Sequence, residues 1–226
     1  MKDFDQDREP WFLRSLLRDV GFRPYFDFGF KRILDILGSL AVLVPTAPVI
    51  AVFWLLIRRD GGPGFYGQQR VGRAGRTFTC WKLRSMCTDA EARLAELITR
   101  DPVAAAQWLT EQKLENDPRI TPLGRIIRRY FIDELPQLFN VLRGEMSFVG
   151  PRPFIPSQEG LYQGDVFGYY VMRPGMTGLW QVSSREDNEF ISRVDHDARY
   201  AREVSLRMDV HILLSTVRVV LSGKGK

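Results

Sequence analysis

ILGSLAVLVPTAPVIAVFWLLI, residues 36–57, carries no charged side chain over 22 positions. As one α-helix at 1.5 Å per residue it reaches about 33 Å, close to the hydrocarbon thickness of a bilayer. Pro45 and Pro48 fall near its middle, and each removes a backbone donor and crowds the preceding turn. A sharp kink or a helix-break-helix is therefore expected there. Lys31-Arg32 precede the run and Arg58-Arg59 follow it, so the basic residues that hold a membrane end in the cytoplasm flank both ends. The segment is expected to enter and return through one leaflet. A proline-kinked transmembrane helix and a buried core helix are the alternatives. Asp35, just outside the run, is expected at the headgroup level or paired with Lys31 one turn away. Residues 11–30 mix aromatics, leucines and arginines as an interfacial arm would.

The 226 residues allow one sizeable domain beside this segment. The expected division is an interfacial arm at 1–29, a re-entrant membrane helix at 30–59 and a cytosol-facing catalytic domain at 60–226, opened by the turn Asp60-Gly61-Gly62-Pro63-Gly64. A net charge of +5 suits nucleic acid, an anionic membrane face or a multiply charged phosphate substrate. No nucleic-acid reading module is recognisable, and the apolar segment would have no role in one, so no nucleic-acid partner is expected. Cys80 and Cys87 form no CxxC pair, and His196 and His211 are the only histidines. Zinc, a disulfide framework and a histidine triad are all disfavoured, which leaves carboxylates and arginines to do any chemistry.

FYGQQRVGRAGRTFTCWKLRSM, residues 65–86, reads as a hairpin turning at 71–76, with Arg70, Arg73, Arg76, Lys82 and Arg84 making it basic. Thr88 and Glu91 form a capping box that opens a helical excursion over 88–115, restarted by Pro102 and suited to a lid or partner surface. Thr121 caps a helix with Pro122 at its first position; Leu123, Ile126, Ile127 and Tyr130 are expected on its buried side and Arg125, Arg128 and Arg129 on the other. A second helix is expected after Asp133, with Leu135, Leu138, Phe139 and Leu142 as its stripe. The overall expectation is an α/β fold: a small mixed sheet or hairpin, several helices, the membrane helix and interfacial amphipathic helices. Residues 194–221 read as helical, with the apolar, basic-tipped end suited to anionic lipid.

Asp133-Glu134 lie between Arg128-Arg129 and Gly150-Pro151-Arg152-Pro153. One carboxylate could attack phosphorus or hold a divalent metal while guanidiniums neutralise phosphate oxygens. The plainer reading makes Asp133 an N-cap and Glu134 a first-turn acid complementing the helix dipole. Arg128 and Arg152 are the candidates to complete a phosphate pocket. The run from Val171 to Gln181, with Arg173 before Pro174-Gly175 and Thr177-Gly178 beyond, is a loop that can seat a nucleotide or sugar phosphate.

In order along the chain, Lys31-Arg-Ile-Leu-Asp35, Phe65-Tyr66 to Gln68, Arg70-Val-Gly72, Lys82-Leu-Arg84-Ser-Met86, Asn116 to Thr121, Asp133-Glu-Leu-Pro-Gln137, Gly144 to Ser147, Gly150-Pro-Arg-Pro153 and Arg173-Pro-Gly175 to Gln181 resemble the bacterial sugar transferase family, the monotopic polyprenyl-phosphate phosphoglycosyl transferases. The resemblance runs from about residue 28 to the C-terminus and is strongest to the ExoY-type hexose-1-phosphate transferases that begin exopolysaccharide synthesis. It implies that Pro48, with Pro45 beside it, breaks the re-entrant helix. It implies further that Asp133 attacks the β-phosphate of a UDP-sugar, that Glu134 holds Mg2+, and that undecaprenyl phosphate then accepts the sugar phosphate at the bacterial inner membrane. Arg128, Arg152 and Arg173, with Lys82, Arg84 and Gln181, are the implied phosphate or substrate contacts. Ala47, Phe131 and Ser184 depart from the family pattern. Galactose and glucose are the expected sugars; N-acetylated or diamino sugars, or a non-catalytic membrane-anchored interaction protein, are the alternatives. A homodimer is left open.

Overall fold

The apolar run forms a single helix. In the computed structural model, which describes residues 25, 29–111, 114, 117–162, 166–183 and 190–222, helix α1 (Phe30–Ile57) passes through Pro45 and Pro48 without interruption. The expected helix-break-helix is corrected to that extent. The two prolines remove two donors only, and the Thr46 hydroxyl donates back to the Val42 carbonyl at 2.7 Å, a bond that bends helices rather than ending them. Most of the expected 1–29 arm, Ser184 and residues 223–226 lie outside the described residues.

Helix α1 exposes Leu37, Val44, Val52 and Leu55, a surface too apolar for water. Among the described residues it is the helix long and apolar enough to cross a membrane. Both of its ends nevertheless dock on the same domain. After the turn at Arg58–Asp60, strands β1 (Phe65–Val71) and β2 (Thr77–Leu83) form the expected antiparallel hairpin, Tyr66 opposite Lys82 and Arg70 opposite Phe78. Period-two alternation therefore puts Gln68, Arg70, Cys80 and Lys82 on one face.

Helices α2 (Ala90–Arg100) and α3 (Pro102–Glu111) make up the excursion. Its caps differ from the expectation: Asp89 rather than Thr88 precedes α2, and Asp101 caps α3 by accepting from the Val103 and Ala104 amides. Helix α4 (Pro122–Arg129) starts as expected, the Thr121 hydroxyl accepting from the Gly124 amide at 2.9 Å. Its buried side is carried by Gly124 and Ile127, however, while Ile126 and Tyr130 face outward at 51% and 46% exposure. Gly124 sits where any Cβ would run into the Ser85 carbonyl, so α4 lies against the end of the hairpin.

The next helix starts later than expected. Ile132–Glu134 is a 3-10 turn, and α5 (Gln137–Arg143) follows with Pro136 at its cap and Gly144 closing it at φ 83°. Asp133 is thus three residues before the cap, and no side-chain capping bond forms at either element, which removes the plain N-cap account. Strand β3 (Ser147–Val149), helix α6 (Phe167–Tyr170), strand β4 (Gly175–Thr177), helix α7 (Leu179–Ser183), helix α8 (Phe190–Glu203) and helix α9 (Leu206–Leu221) complete the order. Strands β3 and β4 pair in parallel, so the described residues hold two separate two-stranded ladders rather than one mixed sheet.

The packing explains how α1 is held. Its C-terminal half, through Ile50 and Ile57, packs on Leu83 of β2 and Ile127 of α4, with Trp54, Ile132 and Leu135 around them. At its start, Lys31 Nζ reaches Asp209 Oδ2 of α9 at 2.7 Å, and Arg32 donates to the Val141 and Leu142 carbonyls at the end of α5. Asp35 does not pair with Lys31. It accepts instead from the Ser147 hydroxyl at 2.9 Å and the Phe148 amide at 3.0 Å, tying the helix to β3. Helix α9, capped by Ser205, leaves Leu206, Val210, Leu214, Val217 and Leu221 exposed along one stripe, as an interfacial helix would.

Candidate active site

The acid pair sits on the 3-10 turn because the chain reverses sharply after α4. Phe131 takes a left-handed conformation, φ 58° and ψ 21°, that L-residues other than Asn, Asp and Gly rarely adopt. Its amide donates to the Arg128 carbonyl and its carbonyl accepts from the Glu134 amide, so the turn is closed on both sides. Backbone of this kind costs on the order of 1–3 kcal/mol and clusters at functional sites.

The turn presents Asp133, buried, and Glu134, half-buried, to the basic face of the hairpin. Lys82 Nζ binds Glu134 Oε1 at 2.7 Å, and Arg152 approaches the same oxygen at 3.9 Å. Burial works to raise the Glu134 carboxyl, but Lys82 and then Arg152 outweigh it and hold the group well below the usual carboxylate range. Asp133 moves the other way. Burial first, and then the neighbouring Glu134 charge, push it up to about 6, against the pull of Lys82 and Arg128. Two adjacent carboxylates are thereby held apart in proton affinity, as acid and nucleophile pairs in active sites are.

Arg70 belongs here too. Its guanidinium donates to the Pro153 carbonyl at 2.8 Å and to Gln68 Oε1 at 2.6 Å, and burial followed by the adjacent Arg152 lowers its proton affinity. A cation so placed favours an arriving anion. Arg128 donates to the Ser85 hydroxyl at 2.9 Å. Beneath it lies the buried pair of Asp117 and Arg119, whose guanidinium also stacks on Trp108 of α3 at 4.9 Å and so joins the excursion to the site.

The Gly150-Pro-Arg-Pro153 turn and the Arg173 to Gln181 loop do come together. Gly150 donates to the Thr177 carbonyl and Gly175 to the Pro151 carbonyl, and the backbones approach so closely that a Cβ at either glycine would collide with the other strand. That clamp fixes the turn from which Arg152 reaches Glu134. Three expected contacts are placed elsewhere. Arg84 is buried, donating to the Ile57 and Pro63 carbonyls and pairing with Asp60, where it fastens the end of α1. Arg173 donates to the Gly144 carbonyl at 2.9 Å. Gln181 donates to the Met176 carbonyl at 3.2 Å, and its Oε1 is buried without a hydrogen-bond partner among the described residues. Arg70 was missing from the expected contacts, although strand alternation from Lys82 across a counted turn could have found it.

Among the described residues no group of three or more His, Cys, Asp or Glu could cage a metal. The donors at hand are the Asp133 and Glu134 carboxylates, with Lys82 on one Glu134 oxygen; carboxylate oxygen is the donor type of a hard ion such as Mg2+, which binds through one or two carboxylates and completes its shell with substrate phosphate and water.

The chain is 48% identical over 195 residues to the undecaprenyl-phosphate galactose phosphotransferase of Salmonella typhimurium, covering 86% of this chain and 41% of that protein. It is 40% identical to the exopolysaccharide production protein ExoY of Sinorhizobium fredii, covering 86% and 87%. It is also 34% identical to the UDP-N-acetylgalactosamine-undecaprenyl-phosphate N-acetylgalactosaminephosphotransferase of Aeromonas hydrophila, covering 86% and 44%. The chain thus spans less than half the length of several relatives and most of the length of ExoY. The family model for bacterial sugar transferases matches residues 26–223, which takes in α1, the hairpin, the acid pair and both glycine turns, and the chain belongs to that family.

Proposed function

We propose that the protein transfers a hexose 1-phosphate, galactose or glucose, from a UDP-sugar to undecaprenyl phosphate at the cytoplasmic face of the bacterial inner membrane. The observation that carries this reading is the buried Asp133 beside Glu134, facing Lys82, Arg70, Arg128 and Arg152. An Asp133 carboxylate oxygen attacks the β-phosphorus, the bond to the bridging oxygen of the α-phosphate breaks, and UMP leaves. The lipid phosphate oxygen then attacks the same phosphorus and the aspartyl oxygen departs, regenerating the carboxylate. Lys82, Arg128 and Arg152 neutralise the phosphate oxygens during both steps. Mg2+, when held by Glu134 and the diphosphate, would supply charge neutralisation at the leaving group.

The named substrates of the relatives support this reading, galactose in Salmonella and glucose in Komagataeibacter xylinus. The membrane geometry supports it too. Because both ends of α1 dock on one domain, a re-entrant path would keep that domain at a single surface, where a lipid phosphate and a soluble nucleotide sugar can meet. Cysteines introduced beside Lys31 and beside Arg59 are therefore expected to react with a membrane-impermeant thiol reagent from the cytoplasmic side alone. Labelling from opposite faces would replace the re-entrant path with a spanning one.

The activity is tested by UMP release from nanodisc-held protein given UDP-galactose, UDP-glucose or an N-acetylated UDP-sugar. Release that needs undecaprenyl phosphate for turnover and Mg2+ is the expected result; preference for the N-acetylated donor would move the assignment to that sugar class. No release from any donor by folded protein would favour a membrane-anchored interaction protein. The proton affinity of Asp133 sets a further expectation. The nucleophile must be ionised, and its carboxyl is pushed up to about 6, so kcat/KM for the donor should climb as pH rises through about 6 and level off above it. A profile flat between pH 5 and 8 would count against Asp133 as the attacking group.

A further inference from the structure

We propose that Asn140 is a positioning residue for the reaction, holding strand β2 on helix α5 in the one register that places Lys82 against Glu134. The inference rests on the transferase reading for its kinetic arm alone. Asn140 is fully buried on α5, where a polar side chain is costly unless all its hydrogen bonds are made. Three of its four are made, and two of them lead to β2. Its Oδ1 accepts from the Trp81 amide at 3.1 Å, and its Nδ2 donates to the Thr79 carbonyl at 2.7 Å and to Glu145 Oε2 at 2.6 Å.

Thr79 and Trp81 flank Cys80, so their backbone groups share the edge of β2 turned away from β1. The carboxamide of Asn140 occupies that edge as a peptide group of a third strand would. Lys82 is the next residue along the strand. Its Nζ meets Glu134, three residues before the start of α5, at 2.7 Å. A slip of β2 by one residue would turn Lys82 to the opposite face of the hairpin and bring Trp81 toward the acid pair. Hydrophobic contacts of Phe78 and Cys80 with Val141 and Met146 hold the two elements together, but such contacts are tolerant of sliding. The directional bonds of Asn140 are not.

The test uses the full-length protein in nanodiscs, first without substrate. A carbodiimide joins a lysine amine to a carboxylate only when the two touch, so mass spectrometry should find a Lys82–Glu134 cross-link in the wild type. In Asn140→Ala its yield should fall severalfold relative to a cross-link elsewhere in the molecule. The kinetic arm compares Asn140→Ala, Lys82→Met and the double variant. If Asn140 acts through Lys82, the double variant should lose no more kcat/KM than Lys82→Met alone, and KM for the donor should change less than kcat. Asn140→Ser, which keeps a small polar group and sets no carboxylate against the Thr79 carbonyl and Glu145, serves if the alanine variant fails to fold, and its cross-link yield should likewise fall below that of the wild type. An unchanged cross-link, or losses that multiply in the double variant, would overturn the proposal. Wild-type protein that cross-links but releases no UMP would refute the transferase reading while leaving the positioning result to stand on the cross-link.

Discussion

Asp133→Asn should lower donor turnover by roughly 10^4-fold or more, because the amide keeps the size of the side chain and removes the nucleophile. Wild-type protein given labelled donor without lipid should retain sugar phosphate on the chain; the variant should retain none. The loss should not come from unfolding. The folded carboxyl binds its proton more tightly than an unfolded aspartate does, so its contribution to stability declines as pH rises from the ordinary carboxylate range through about 6. At neutral pH the ionised group therefore opposes folding, and Asp133→Asn should unfold at the same temperature as the wild type or higher. Turnover within tenfold of the wild type would show that the lipid phosphate attacks the donor directly, with no aspartyl intermediate.

Asp209→Ala should be the most destabilising single change in the joint between α1 and the domain. The Lys31 and Asp209 side chains are 7% and 5% exposed, and the Tyr25 and Tyr200 hydroxyls donate to the same carboxylate at 2.9 and 2.7 Å. Tyr200 reaches Oδ1 while Lys31 and Tyr25 share Oδ2, so truncation strands the ammonium and takes an acceptor from both hydroxyls, of which Tyr200 keeps the Val149 carbonyl at 3.1 Å. Breaking a buried ion pair from one side costs about 3–5 kcal/mol. Thermal unfolding in detergent should report a loss of that order for Asp209→Ala. The paired replacement Lys31→Met with Asp209→Leu should recover most of it, since an apolar pair leaves no buried charge uncompensated. A loss under about 1 kcal/mol would mean that Lys31 finds solvent or another acceptor when its partner is gone.

The expected positions that held share a physical basis in short-range pattern. Alternation and a glycine turn fixed the hairpin, Thr121 with Pro122 started α4, and the uncharged run made a helix. What failed depended on neighbours distant in sequence. Ile126 and Tyr130 fit a helical stripe, yet the close seat of Gly124 on Ser85 rotates that stripe outward. Nor does the sequence show that Arg84 and Arg173 donate to carbonyls left open at the ends of α1 and α5. Asp35 and Lys31 are one helical turn apart and could have paired. Ser147 and Asp209, more than 100 positions away in the chain, take them instead.

By itself the sequence determined the kinds of chemistry open to this protein: carboxylates amid arginines, next to a segment that water cannot solvate. Those are properties of residue types and their periodicity, and they survive without knowledge of any contact. The three-dimensional fold sets which cations face the acid pair and which of its two carboxylates binds a proton more tightly. Proton affinity depends on burial and on charges within a few ångströms, and for Asp133 and Glu134 those charges come from Lys82 and Arg152, on a strand and a turn remote in sequence, as well as from nearby Arg128.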